Sequence, residues 1–90
     1  MKTIIFMRHR HDQSSVATTG QPFSHQGINL AVFKSESGWE VCEITTGMYI
    51  SNLGYLKAKA IAHAKARIDS LGPTFTQSAI EKILSERASI

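Results

Sequence analysis

Three basic side chains, Lys59, His63 and Arg67, follow one another at intervals of four residues in an alanine-rich segment. Side chains at this interval are neighbours on one face of an α-helix. A row of cations on a helix can bind phosphate groups or an acidic protein surface, and Tyr55 nearby could stack on a nucleotide base. The alternative is a solvated helix face, because charged side chains are mostly exposed in any globular domain. Residue type and spacing agree here, so this row is our first candidate for a binding site.

A second basic group is the run Arg-His-Arg-His-Asp that begins at Arg8 and ends at Asp12. In a strand, Arg8 and Arg10 would share one face and the two histidines the other. Two histidines with Asp12 or His25 could ligate a metal ion, but two histidines alone do not make a site, and there is no cysteine pair. We therefore predict no metal and no cofactor, and we assign Arg8 and Arg10 to a basic binding surface.

The same region resembles a pattern of the histidine phosphatase family. That family has a strand leading into Arg-His-Gly and a later Leu-Thr-x-x-Gly-x-x-Gln-Ala, and this chain has Ile4–His9 followed by Phe23–Ala31. The resemblance would imply a nucleophilic histidine in a pocket of cations that holds a phosphoryl group. However, Arg10 replaces the family's glycine, the chain is too short for that fold, and no recognisable second histidine follows. We therefore expect no enzymatic activity.

A shorter resemblance covers Thr76–Ile80, which looks like the start of a recognition helix in LysR-type helix-turn-helix regulators. It would imply a helix placed in the DNA major groove. The preceding helix is too long for the motif, Gly72 does not fall at its turn position, and Glu81 and Glu86 would face phosphates. This resemblance stays a minor alternative.

Composition is that of an ordinary globular chain. Ninety residues, 42% of them hydrophobic, predict one domain over residues 1–90, and such a short chain gains stability from a partner or a second copy. The formal net charge of +3 permits an acidic partner without requiring one. The single cysteine, Cys42, suits a reducing compartment, and the apolar run near the start is too short for a signal peptide or a membrane span. We expect a cytoplasmic protein with no membrane partner.

Several segments have strand character. Thr3–Arg8 is rich in β-branched and aromatic residues. Ile28–Lys34 and Trp39–Thr45 are predicted to form a hairpin, and Gly47–Ile50 a further strand. His11–Gly27 is polar and holds Gly and Pro, which predicts a long loop that is either functional or mobile.

The Val41–Cys42 pair interrupts the alternation of its strand. This predicts a β-bulge or burial on both faces. Nothing in the local sequence would lower the pKa of the thiol, so we interpret Cys42 as a buried structural residue.

Two helices are predicted after the strands. The first runs from about Leu53 to Leu71, with Ser51 or Asn52 as its cap, and ends at the Gly-Pro pair that follows. The second, shorter helix begins at Thr76.

These elements define an α+β fold in which an antiparallel sheet of three to four strands packs on one long helix, followed by a second shorter helix. The narrow apolar stripe of the last helix suggests a homodimer. The residues expected in the core are Ile5, Leu30, Val32, Trp39, Val41, Ile44, Ile50, Leu56, Ile61, Ala64, Ile68, Leu71, Ile80 and Leu84.

We therefore expect a small non-enzymatic protein that binds a protein or nucleoprotein complex by surface contact. In size and layout it looks like the accessory proteins of phages and mobile elements, including anti-CRISPR inhibitors, which would imply a large nucleoprotein machine as partner. The alternative is a small basic regulator that binds nucleic acid directly.

Overall fold

The computed structural model describes residues 2–9, 14–36, 38–52 and 56–88 of the chain. Its five strands are β1 (Ile4–His9), β2 (Ser15–His25), β3 (Ile28–Ser35), β4 (Gly38–Glu43) and β5 (Tyr49–Asn52). Two helices follow, α1 (Lys57–Leu71) and α2 (Pro73–Ala88). The strands form one antiparallel sheet in the order β1-β2-β3-β4-β5. The predicted α+β class is confirmed.

The predicted loop over His11–Gly27 is wrong, because most of it is strand β2. The first half of β2 pairs with β1 and the second half pairs with β3. The chain then reverses at Gln26 and Gly27, whose φ angles of 53° and 79° are those of a tight two-residue hairpin turn. The two flanking strands provide hydrogen-bond partners for the backbone of this polar segment, so it forms a strand although its sequence is not apolar. The sheet therefore has five strands instead of the predicted three or four.

The β3–β4 hairpin confirms the prediction for this part of the chain. Val32 lies opposite Val41 in the register of the two strands. The pairing of β4 with β5 shifts between Val41 and Cys42, and both residues are buried, so the predicted bulge and two-sided burial are both present. The expected third strand is β5, slightly later in the chain.

The helices differ from prediction at their starts. Ser51 and Asn52 do not cap α1 but end β5, and the Ser51 hydroxyl donates to the Ala60 carbonyl at 3.1 Å. Helix α1 ends as predicted, with the Gly72 N–H donating to the Ile68 carbonyl at 2.8 Å. Helix α2 begins at Pro73 instead of Thr76, because proline suits the first position of a helix. At 16 residues it is no shorter than α1, which has 15.

Both faces of the sheet are covered. On one face, α1 and α2 pack over β3, β4 and β5. The cluster there comprises Ile28, Leu30, Val32, Val41, Ala60, Ala64, Ile68 and Ile80. On the other face, the β1–β2 hairpin covers a second cluster of Phe6, Ala31, Phe33 and Cys42, with Ile44 packed against it. The rings of Phe6 and Phe33 lie 5.6 Å apart between centroids.

The predicted core is correct at its centre and wrong at its margins. Ile5 is 74% exposed because β1 turns Phe6 inward in its place. Leu56 precedes α1, Leu71 is its last residue, and Leu84 lies at the edge of the buried face of α2, so all three are substantially exposed. Within the described residues, neither helix is long and apolar enough to cross a lipid bilayer.

Candidate functional site

Lys59, His63 and Arg67, which we call the cationic row, all lie exposed on α1. The residues that α1 buries against the sheet are Ala60, Ala64 and Ile68. Each member of the row directly precedes one of these, so it is rotated by about 100° from the buried face, and the row runs along the flank of the helix. The structure therefore brings the three residues together on one accessible surface, about 12 Å long.

No described residue neutralises the cationic row by an ion pair; the ion pairs found among the described residues involve other side chains. The helix carries four cations, Lys57, Lys59, Lys65 and Arg67, against one carboxylate, Asp69. Lysines and arginines elsewhere in the chain equal the aspartates and glutamates there, so the whole formal excess of +3 belongs to α1. The positive potential of the molecule is concentrated on this helix.

Two other charged side chains of α1 are held by the sheet. The Lys57 ammonium donates to the Gln21 side chain and lies 5.8 Å from the centre of the Trp39 ring. This contact leaves the charge of Lys57 in place but fixes its position at the start of the helix.

At the other end of α1, Asp69 faces the β2–β3 turn. His25 Nε2 lies 2.7 Å from Asp69 Oδ1, and the Gln26 amide donates to the same oxygen at 3.3 Å. These hydrogen bonds, first that of His25, hold the pKa of Asp69 below its ordinary value of 3.8. The single carboxylate of the helix is thus engaged away from the cationic row, and His25, once considered as a metal ligand, is a partner of this carboxylate.

Arg8 lies apart from the cationic row. Its guanidinium sits 5.2 Å from the centre of the Phe33 ring, and Nη1 is 3.8 Å from Glu40 Oε2. Phe33 belongs to the second cluster, on the face of the sheet opposite α1. Arg8 therefore covers the second core, and its assignment to a binding surface stays a prediction that these contacts do not favour. Arg10 and Tyr55, the remaining predicted binding residues, lie outside the described residues.

The structure also bears on the other roles considered from the sequence: a reactive cysteine, a DNA-recognition helix and a metal site. Cys42 is 1% exposed, and burial, followed by the charge of Glu40, raises the pKa of its thiol to about 12, which confirms a buried cysteine. Thr76 and Ile80 face the interior of the fold, so these two residues of the predicted recognition helix are not available for contacts to DNA. Among the described residues no group of three His, Cys, Asp or Glu side chains is placed to hold a metal ion.

The alanines of α1 fall into two sets. Ala58, Ala62 and Ala66 face solvent beside the cationic row. The helical period separates the two sets: alanines at positions 60 and 64 pack, and the others do not. The row therefore borders a flank of small exposed side chains, and the larger exposed residues Leu56 and Leu71 lie at the two ends of the helix.

A shallow open groove lies between the β2–β3 turn and the start of α2, lined by Gln26, Gly27, Pro73, Thr74, Gln77, Ser78 and Glu81. Its lining contains no histidine, cysteine or lysine.

Comparison of the chain with protein-family models, with curated proteins and with solved structures found no match. Function is therefore inferred from the geometry and charge of this molecule alone.

Proposed function

We propose that this is a small non-enzymatic binding protein that attaches, through the cationic row of α1, to an acidic surface of a protein or nucleoprotein complex. The observation that carries the proposal is the concentration of the whole formal charge excess on one helix, α1, whose exposed flank carries the cationic row. Complementary charge speeds the encounter of partners and orients them.

A non-enzymatic role is supported by the same residues that could have done chemistry. The thiol of Cys42 is buried, and its pKa of about 12 keeps it protonated at neutral pH. Arg8 and Glu40 are engaged with each other over the second core. The reducing compartment that a single cysteine suits is the cytoplasm, where the large nucleoprotein machines inhibited by small phage and mobile-element proteins also operate; we include that setting in the proposal.

Direct binding of nucleic acid is the second candidate, and one observation favours it. The flank beside the row carries the small exposed residues Ala58, Ala62 and Ala66, so attraction there is chiefly electrostatic, as it is for contacts to a phosphate backbone. Protein interfaces more often have an apolar centre.

The proposal can be tested with two variants that change the net charge equally. Lys59→Glu with Arg67→Glu reverses the ends of the cationic row, and Lys34→Glu with Lys82→Glu reverses two exposed lysines away from α1. We expect the row variant to lose at least about tenfold in affinity for a partner captured from host lysate, and the control to lose much less. All four positions are exposed, so both variants should fold, with stability changes near 0.5 kcal/mol per site.

Nuclease treatment of the lysate distinguishes the two candidates. Capture that survives nuclease supports a protein or nucleoprotein surface, and capture lost with nuclease supports direct nucleic-acid binding. For a nucleic-acid partner the affinity should also fall steeply with added salt, because neutralised phosphates release counterions. If the row variant and the control captured the partner equally well, α1 would be excluded as the binding surface.

A further inference from the structure

His63 is the middle member of the cationic row. Its neighbours Lys59 and Arg67 lie one helical turn, about 6 Å, before and after it on the same flank of α1. A histidine side chain gains its positive charge as the pH falls from about 8 to about 5, whereas lysine and arginine stay charged throughout this range. Lys59 and Arg67 give the row a formal charge of +2, and a protonated His63 raises it to +3.

The His63 side chain is exposed and forms no hydrogen bond or ion pair within the described part of the chain. The other two described histidines are placed differently. His25 is held 2.7 Å from Asp69, the single carboxylate of α1, which is rotated by about 120° from His63 around the helix. His9 lies on β1, whose residue Phe6 packs on the face of the sheet opposite α1. The protonation of His63 can therefore respond to a bound ligand rather than to an internal partner.

The charged groups of the neighbouring elements are not paired with His63. Strands β3, β4 and β5 and helix α2 contact α1. Glu40 on β4 is paired with Arg8, and Glu43, at the end of β4, accepts hydrogen bonds from the turn that follows it. The remaining charged or titratable groups of these elements form no ion pair or hydrogen bond with His63 in the described structure: Lys34, Cys42, Tyr49, Glu81, Lys82, Glu86 and Arg87.

We propose that protonation of His63 regulates the cationic row, so that the row binds an anionic partner more tightly as the pH falls from about 8 to about 5. This inference rests on the proposed function, because it assigns a pH dependence to the same surface. An anion bound at the row favours the charged imidazole over the neutral one, since opposite charges attract at short range.

The sign of the effect follows from linkage. Because a bound anion favours the protonated His63, binding takes up a proton, and protonation in turn raises the affinity for the anion by the same factor. Above about pH 8, where histidine is neutral, the row binds through Lys59 and Arg67 alone. The expected gain is a factor of about three, because all three side chains are exposed and solvent weakens the attraction between exposed charges.

A fluorescein-labelled heparin fragment is a suitable probe, because its sulfate groups keep a constant charge between about pH 5.5 and about pH 7.5, where histidine titrates. Any change of affinity over this range then comes from the protein. Fluorescence anisotropy of the full chain at low salt gives the dissociation constant at both pH values. We call the affinity at the lower pH divided by the affinity at the higher pH the pH ratio.

Three substitutions isolate His63. His63→Gln keeps the row in its uncharged form, His63→Lys fixes the charge, and His9→Gln is the matched control at a histidine away from α1. We expect the wild type to have a pH ratio about three times that of His63→Gln and equal to that of His9→Gln. His63→Lys should have the same low pH ratio as His63→Gln but bind about threefold more tightly than it at the higher pH.

A second measurement reads the linkage from the other side. The midpoint of the His63 titration, followed by the NMR signals of its imidazole, should move to higher pH when heparin is bound. Three results would overturn the inference: a His63→Gln variant that keeps the wild-type pH ratio, a His9→Gln variant that loses it, or a His63 midpoint that heparin leaves unchanged. Circular dichroism checks that each variant is folded.

The charge-reversal variants separate this inference from the proposed function. If Lys59→Glu with Arg67→Glu binds heparin as tightly as the control Lys34→Glu with Lys82→Glu, the row does not bind anions and both proposals fail. An undetectable affinity of the wild type has the same meaning. If the row variant loses affinity while His63→Gln leaves the pH ratio unchanged, the proposed function stands and only the role of His63 is wrong.

Discussion

Gly47 is the residue where β1 meets the connection between β4 and β5. Its φ of 71° lies in the left-handed region, and a Cβ atom built on it would stand 1.9 Å from the Met7 carbonyl oxygen and 2.8 Å from the His9 nitrogen. The close approach allows the His9 N–H to donate to the Gly47 carbonyl at 2.9 Å. Only glycine meets both requirements at this position.

We predict that Gly47→Ala lowers the free energy of unfolding by more than about 2 kcal/mol, because strained backbone and a steric clash combine. Gly27→Ala is the matched control: its φ is 79°, but nothing lies within 4 Å of the added Cβ, so it should cost only about 1 kcal/mol. Urea unfolding of the two variants measures both. Equal losses would mean that the contact with β1 is unimportant.

Glu43 shows why a buried charge is not evidence of an active site. It is 1% exposed, and its carboxylate accepts hydrogen bonds from the backbone N–H groups of Thr45 and Thr46 and from the Thr46 hydroxyl, each at 2.7 Å. These hydrogen bonds satisfy the buried carboxylate and stabilise the turn before β5. The geometry of this turn explains why the carboxylate is buried.

At the scale of elements, α1 uses alanine both to pack against the sheet and to favour the helical conformation. Ala60 and Ala64 have no exposed surface and let the helix approach the sheet, whereas Ala62 faces solvent. The same small side chain therefore contributes packing on one face and helix propensity on the other.

We predict that Ala64→Leu destabilises the fold by about 1–3 kcal/mol, because the added side chain has no space between α1 and the sheet. Ala62→Leu, on the exposed face of the same helix, should change the free energy of unfolding by less than about 0.5 kcal/mol. Chemical denaturation followed by circular dichroism separates the two. A similar cost for both variants would place α1 differently from the structure described.

Elements could be predicted from sequence where the pattern was local. The β3–β4 hairpin has strong alternation on both sides of a short polar turn, and it was predicted nearly to the residue. Strand β2 was missed because its stability comes from two partners, one of them β1, rather than from its own composition. The cationic row was predictable as a group because four-residue spacing is a property of the helix itself.

At the scale of the whole molecule, the pair His25 and Asp69 joins the sheet to α1 across 44 residues of sequence. Because the pKa of Asp69 is lowered on folding, its ionised form is favoured in the folded state. That contribution to stability is complete above the ordinary value of 3.8 and is lost as the pH falls through the lower folded value.

We predict that Asp69→Asn is less stable than the wild type at about pH 5 and that the difference narrows as the pH is lowered to about 3. The effect should be small, because the pair is solvent-exposed. His25→Ala should show the same narrowing, since it removes the principal hydrogen bond to the carboxylate. Urea midpoints over this pH range provide the measurement, and a constant difference would exclude the link.

The sequence by itself determined the class of fold, the central hairpin, the end of α1 and the grouping of the cationic row, because alternation, helical period and Gly-Pro punctuation act over a few residues. Only the tertiary structure decided which face of β1 is buried, since both sets of alternate residues in Ile4–His9 include apolar side chains. It also separated Arg8 from the row and left Ile5 exposed. These outcomes depend on where distant strands pack, and contacts between distant segments leave no local period in the chain.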